Sequence, residues 1–144
     1  MTPQCDSHLN ACLYFTANSL ARSVSKMADE AFMVTGLAPS YAFVQMLVNE
    51  TPGINQNEIA TCMNLAPSTV TRFIDKLVER QLLRRELVGK VSRVYPTQKG
   101  LELQPLLRQA WAALHERFVA VLGRDFADHL TAEIDRANQI IEAS

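Results

Sequence analysis

At Leu82 the apolar residues stop recurring every three or four positions and begin to alternate, directly after two short helical segments. That switch dictates the order helix, turn, helix, hairpin. Upstream of it, Asn55 and Glu58 form a capping box, with Ile54 and Ile59 at hydrophobic-staple positions, so a helix begins there and runs to about Met63. A brief Asn64-Leu65-Ala66 turn leads to Pro67, which suits the first position of a helix because it has no N–H to leave unpaired. In this next helix Val70, Phe73, Ile74, Leu77 and Val78 face inward, and Ser68, Thr69, Thr71, Arg72, Asp75, Lys76 and Glu79 face outward. Downstream, Leu83 to Leu87 and Ser92 to Tyr95 read as two short strands around a turn at Gly89-Lys90.

Charge collects on the same stretch. Ala66 to Gly100 holds Arg72, Lys76, Arg80, Arg84, Arg85, Lys90, Arg93 and Lys99 against Asp75, Glu79 and Glu86, eight basic to three acidic, or +5. The other 109 residues hold six basic and twelve acidic side chains, or −6, so the net charge of −1 conceals a cationic patch. A local positive field draws a polyanion to one face, which makes nucleic acid the first partner to consider.

Both flanks are helical. Leu9, Leu13, Thr16, Leu20, Val24, Met27 and Ala31 mark a long first helix ending near Gly36; Ser40 opens a short, nearly all-apolar helix, Tyr41 to Val48, that Thr51-Pro52-Gly53 terminates. Thr97 caps a helix that keeps its spacing from Leu103 to Leu122, and a last amphipathic helix carries Phe126, Leu130, Ile134, Ala137 and Ile141. Trp111, Leu114, Phe118, Leu130, Ile134 and Ile141 exceed what one small domain can cover, so a second subunit is expected over them.

With 144 residues, 48% of them hydrophobic, the chain can build a real core without disulfides, and three cysteines are too few and odd in number for a secreted, disulfide-stapled protein. A cytoplasmic location is expected. Ala11 to Leu20 is too short and polar to span a bilayer and has no basic region before it, so no membrane partner is expected.

These residues resemble the MarR family of bacterial transcription regulators. The likeness rests on Asn57-Glu58-Ile59-Ala60, on Ser68 to Leu77, on Leu82-Leu83-Arg84-Arg85 and on Thr97-Gln98-Lys99-Gly100, with the flanking helices in the family's order. It implies a mainly α-helical winged helix-turn-helix of about six helices plus a β-hairpin wing. Residues 1–36 would form an N-terminal dimerisation helix, 37–100 the DNA-binding domain and 101–144 the C-terminal dimerisation helices. The expected function is sequence-specific binding of a pseudo-palindromic operator in double-stranded DNA by a homodimer, as a repressor, modulated by a small-molecule or oxidative signal. The alternative is a winged-helix module that docks another protein, whose binding would barely depend on salt. No enzyme activity, cofactor or metal is expected, since no nucleophile triad, phosphate-cradling Gly loop or paired-carboxylate site is present.

The expected DNA-binding set is Ser68, Thr69, Thr71, Arg72, Lys76, Arg84, Arg85, Lys90 and Arg93. Thr71 and Arg72 are placed on bases, because an Arg can pair with guanine O6 and N7. The likeness places at least one of the adjacent arginines, Arg84 and Arg85, at a structural salt bridge, and Asp75 is expected to position a nearby Arg rather than to contact DNA. Val88-Gly89-Lys90 stands where family wings carry Asp-x-Arg, so Lys90 is expected on phosphate. A small aromatic ligand would be lined by Tyr14, Met27, Tyr41 and Trp111. Cys12 is the redox candidate, although aligning Leu13-Tyr14 with peroxide-sensing relatives puts their reactive position on Asn10. Cys5, His8 and Cys12 share a helical face but lack the fourth ligand of a closed zinc site.

Overall fold

The computed structural model describes residues 7–144, and the Cys5 end of the Cys5/His8/Cys12 set lies outside them. In chain order the elements are α1 (Ser7–Asn10), α2 (Leu13–Phe32), a 3-10 turn (Met33–Thr35), α3 (Pro39–Glu50), β1 (Ile54–Asn55), α4 (Gln56–Met63), α5 (Pro67–Glu79), β2 (Leu83–Val88), β3 (Val91–Pro96), α6 (Gln98–Glu102), α7 (Gln104–Leu122) and α8 (Arg124–Ala143). The fold is mainly α-helical with a small antiparallel sheet, a winged helix-turn-helix. No single helix among the described residues is long and apolar enough to cross a membrane.

Helix boundaries follow local chemistry. Asn55 accepts from the Glu58 N–H at 2.8 Å through its side chain, and Ile54 and Ile59 are both buried, so cap and staple form together. Glu58 returns the contact to the Asn55 amide (2.7 Å). Asn64 takes φ 54° at the end of α4, a left-handed conformation that Asn tolerates, and turns the chain into Pro67. Thr97 Oγ1 accepts from Gly100 N (3.1 Å) and so caps α6.

Several boundaries differ from expectation. The first helix is interrupted at Cys12, whose backbone is extended (φ −98°, ψ 119°). The helix expected to run on from Thr97 is divided at Leu103, with Pro105 in the first turn of α7, where a proline ring is accommodated. α3 begins at Pro39 rather than Ser40. Ile54 and Asn55 also pair antiparallel with Val94 and Arg93, adding a strand on the far side of β3 and giving the order β1-β3-β2.

The core lies around α3. Ala42, Val44 and Val48 meet Phe32 of α2, Val70, Ile74 and Leu77 of α5, Leu83 and Val94 of the sheet, and Leu107, Ala110 and Leu114 of α7, all buried. Full burial stabilises by about 1.5–3 kcal/mol for each large aliphatic or aromatic side chain, so this cluster fixes α5 and the sheet against one support. Polar ties add direction: Gln45, fully buried, donates to the Leu82 carbonyl (3.2 Å), and Asn49 donates to the Gly100 carbonyl (3.0 Å). Gly100 approaches so closely that a Cβ there would collide with the Leu82 carbonyl and the Gln45 amide.

The outer helices are less covered. Met27, Ala28 and Ala31 pack on the core, whereas Leu13, toward the start of α2, is 70% exposed. Arg117 of α7 pairs with Glu30 of α2 at 2.7 Å. Along α8 only Ala127 is buried, and Phe126, Ile134, Ile140 and Ile141 are about half exposed or more.

Candidate nucleic-acid interface

The inward stripe of α5, Val70, Ile74 and Leu77, is fully buried, which determines what the other side presents. At about 100° per residue, Ser68, Thr69, Arg72 and Lys76 fall within an arc of about 100° opposite that stripe. Ser68, Arg72 and Lys76 are exposed and Thr69 is half-buried. Arg72 makes no hydrogen bond or ion pair with any described residue, whereas Lys76 lies 3.9 Å from Glu79. Pro67 opens the helix without an N–H, and the exposed arc includes its N-terminal turn.

Thr71 and Asp75 occupy one edge of this arc, toward the wing. Arg85 of β2 reaches across to them: Nη2 lies 2.5 Å from Asp75 Oδ1 and also donates to the Thr71 carbonyl (3.3 Å), while Nε donates to Gln56 Oε1 (2.7 Å). The Thr71 hydroxyl donates to the Pro67 carbonyl (3.0 Å) and accepts from Gln56 Nε2 (3.1 Å). Two residues expected on DNA therefore have their polar groups committed inside the subunit, and Arg85 is the member of the arginine pair that forms the salt bridge.

Strand parity separates the two arginines. The register pairs Arg84 with Tyr95, Arg85 with Val94 and Glu86 with Arg93, and cross-strand partners share a face. Arg85 thus lies on the face of buried Leu83 and Val94, and Arg84 on the opposite one. There the Arg84 guanidinium sits 4.5 Å from the centre of the Tyr95 ring and 3.2 Å from Glu86, a neighbour along the strand rather than across it. Arg93, on the same face, donates to the Gly53 carbonyl (2.9 Å) beside β1. At the tip, Gly89 takes φ 64° in a two-residue turn, and Lys90 is exposed with no hydrogen bond or ion pair to any described residue.

Two contacts link this lobe to the rest. Arg80, at the end of α5, donates to the Gly36 carbonyl (3.0 Å), and Lys99 donates to the Arg80 carbonyl (3.2 Å). Sequence reading did not single out Gln56, whose amide joins α4, α5 and both wing strands, with Ser92 Oγ at 3.5 Å. No local spacing marks such a residue, because its partners lie 15, 29 and 36 positions away.

The four residues expected around a ligand are not brought together. Tyr14 is 80% exposed on α2, Met27 packs on the core, and Tyr41 meets Phe73 with ring centres 4.7 Å apart. Trp111 lines a groove of about 380 Å³ with Phe43, Met46, Leu47, Glu50 and Arg108. Cys12 is exposed at the junction of α1 and α2, and no cluster of three or more metal-ligating side chains exists among the described residues.

Known proteins share this architecture. The MarR family model matches residues 43–86, from α3 through the start of the wing. YybA, an uncharacterised HTH-type transcriptional regulator of Bacillus subtilis (strain 168), is 26% identical over 128 residues, covering 85% of this chain and 84% of its own. The crystal structure of CouR from Rhodococcus jostii RHA1 bound to p-coumaroyl-CoA is 25% identical with a TM-score of 0.73, covering 92% of this chain and 93% of that one. The repressor CouR bound to a 23-mer DNA duplex superposes with a TM-score of 0.84 at 23% identity, over 95% and 99% of the two chains, a likeness of fold. Family match, relative and shared winged architecture agree: residues 43–86 carry the MarR family pattern, and over most of its length the chain is similar to winged helix-turn-helix transcription regulators.

Proposed function

We propose that this protein is a repressor that binds a pseudo-palindromic operator in double-stranded DNA as a homodimer, with residues 37–100 reading DNA and residues 1–36 and 101–144 holding the pair. The carrying observation is the uncommitted Arg72 on the outward arc of α5, in a lobe whose other arginines, Arg80, Arg84, Arg85 and Arg93, are all engaged within the subunit. Ser68, Thr69, Arg72 and Lys76 enter the major groove, where Arg72 pairs with a guanine edge, and Lys90 at the wing tip meets phosphate. Arg84 and Arg93 lend field on the outer wing face, and Arg85 and Thr71 act through placement. CouR, bound to duplex DNA in the same fold, supports this reading.

The half-exposed apolar residues of α8 and the start of α2 support a second copy of the chain as their cover. The Trp111 groove, with Arg108 at its edge and free of described ion pairs, is the proposed seat of a small aromatic ligand, and CouR's complex with p-coumaroyl-CoA is in keeping with it. Such a ligand weakens DNA binding only if it favours one lobe spacing over another.

Recovery of genomic fragments bound by the purified protein, followed by titration of the selected duplex against salt, tests the reading. The log–log slope should be about −0.9 for each phosphate neutralised. Failure to retain any fragment, or binding indifferent to salt, would leave the protein-docking module as the better account.

A further inference from the structure

Gln56 is half-buried at the first position of α4, and its side-chain amide is shared among three elements. Its orientation is settled by chemistry: Arg85 Nε can only donate, so the atom 2.7 Å from it is the amide oxygen. The amide nitrogen then faces the Thr71 hydroxyl, which it reaches at 3.1 Å. That hydroxyl has one proton, and the Pro67 carbonyl 3.0 Å away receives it, so Thr71 stands as acceptor toward Gln56. Ser92 of β3 approaches the same Gln56 oxygen at 3.5 Å. One side chain thereby joins the N-terminus of α4 to the second turn of α5 and to both strands of the wing.

We propose that Gln56 is a positioning residue of the DNA interface, setting the angle between wing and recognition helix and the rotamer of Thr71 without contacting DNA itself. The proposal rests on the operator-binding reading above. It goes beyond the Arg85–Asp75 ion pair, because Asp75 and the Thr71 carbonyl both hold the same nitrogen, Nη2, and leave the guanidinium able to pivot about that one atom. An acceptor at Nε fixes its plane. Sequence discrimination depends on base-edge groups being held in register, whereas affinity for any duplex depends mainly on phosphate contacts. The effect of Gln56 should therefore appear in discrimination more than in bulk affinity.

The test compares wild type, Gln56→Met and Gln56→Glu on the selected operator duplex and on a scrambled duplex of equal length and salt. Met keeps length and bulk but removes both polar atoms. Glu keeps the acceptor for Arg85 and Ser92 but lacks the donor to Thr71, and its added charge weakens both duplexes alike, leaving the ratio interpretable. Gln56→Met should lose roughly tenfold of the operator-to-scrambled ratio, with Gln56→Glu recovering part of it and the melting temperature almost unmoved. A ratio preserved within about twofold in Gln56→Met would overturn the proposal. Should the wild type bind no duplex, operator binding is what fails. Amide exchange in the DNA-free protein still decides on Gln56: faster exchange over the wing strands in Gln56→Met supports its positioning role, and unchanged exchange refutes it.

Discussion

Arg85 on β2 and Asp75 on α5 hold each other at 2.5 Å, and this pair fixes the wing to the helix that is proposed to read DNA. Both are partly exposed, 29% and 58% by side chain, so the pair adds roughly 0.2–1 kcal/mol to stability. Its consequence lies in geometry. Arg85→Ala should melt within a few degrees of the wild type and yet bind the operator more weakly, since the wing loses its tie to α5. Chemical melts paired with anisotropy titrations would check this; a variant that binds as well as wild type would show the tie to be dispensable.

Gly100 is a packing constraint rather than a turn residue. Its absent side chain lets the Leu82 carbonyl and the Gln45 amide approach, which seats the base of the wing on α3. Gly100→Ala should therefore destabilise by about 1–3 kcal/mol, the usual range for overpacking, because backbone at Leu82 has to move. Urea unfolding gives the figure directly. Unaltered stability would mean that the α6 turn yields more readily than its capped geometry suggests.

Much of this arrangement was legible locally. Asn55 and Glu58, Pro67, the Gly89-Lys90 turn and Thr97 each name a boundary through a side chain's own chemistry, and each boundary is present. Four features were not. Ile54-Asn55 is too short to show a period, so its pairing with β3 was invisible. The division at Leu103 was outweighed by the helical spacing of Leu103, Leu106 and Leu107. The fates of Arg84 and Arg85 depend on which strand face meets the core, a parity that Leu83 on the inward face could have indicated. Gln56 left no trace, since its partners are distant in sequence.

Ile134 on α8 is 48% exposed and, with Phe126, Ile140 and Ile141, forms apolar surface that the subunit leaves open. Replacement of Ile134 by Glu costs the isolated subunit little but places a charge in the proposed interface. Wild type is expected to sediment as a dimer with a melting temperature that rises with concentration, and Ile134→Glu as a monomer or a much weaker dimer. Monomeric wild type at all concentrations would remove the second copy as the cover for α8.

Arg72 and Lys90 separate base reading from phosphate attraction, because both are cations without a partner among the described residues and lie on different parts of the surface, one on a helix arc and one at a wing tip. A guanidinium paired with a guanine edge is worth about 1–3 kcal/mol against the wrong base, so Arg72→Ala should weaken operator binding by that amount and relax selection at one position. Lys90→Ala removes a point charge. It should weaken operator and scrambled duplex equally and reduce the magnitude of the salt slope by about 1. Titrations on both duplexes across a salt series distinguish the two signatures. An Arg72→Ala variant that shifts both duplexes alike would move Arg72 from the bases to the backbone, and a Lys90→Ala variant with altered sequence preference would show that a wing ending in Val88-Gly89-Lys90 reads bases after all.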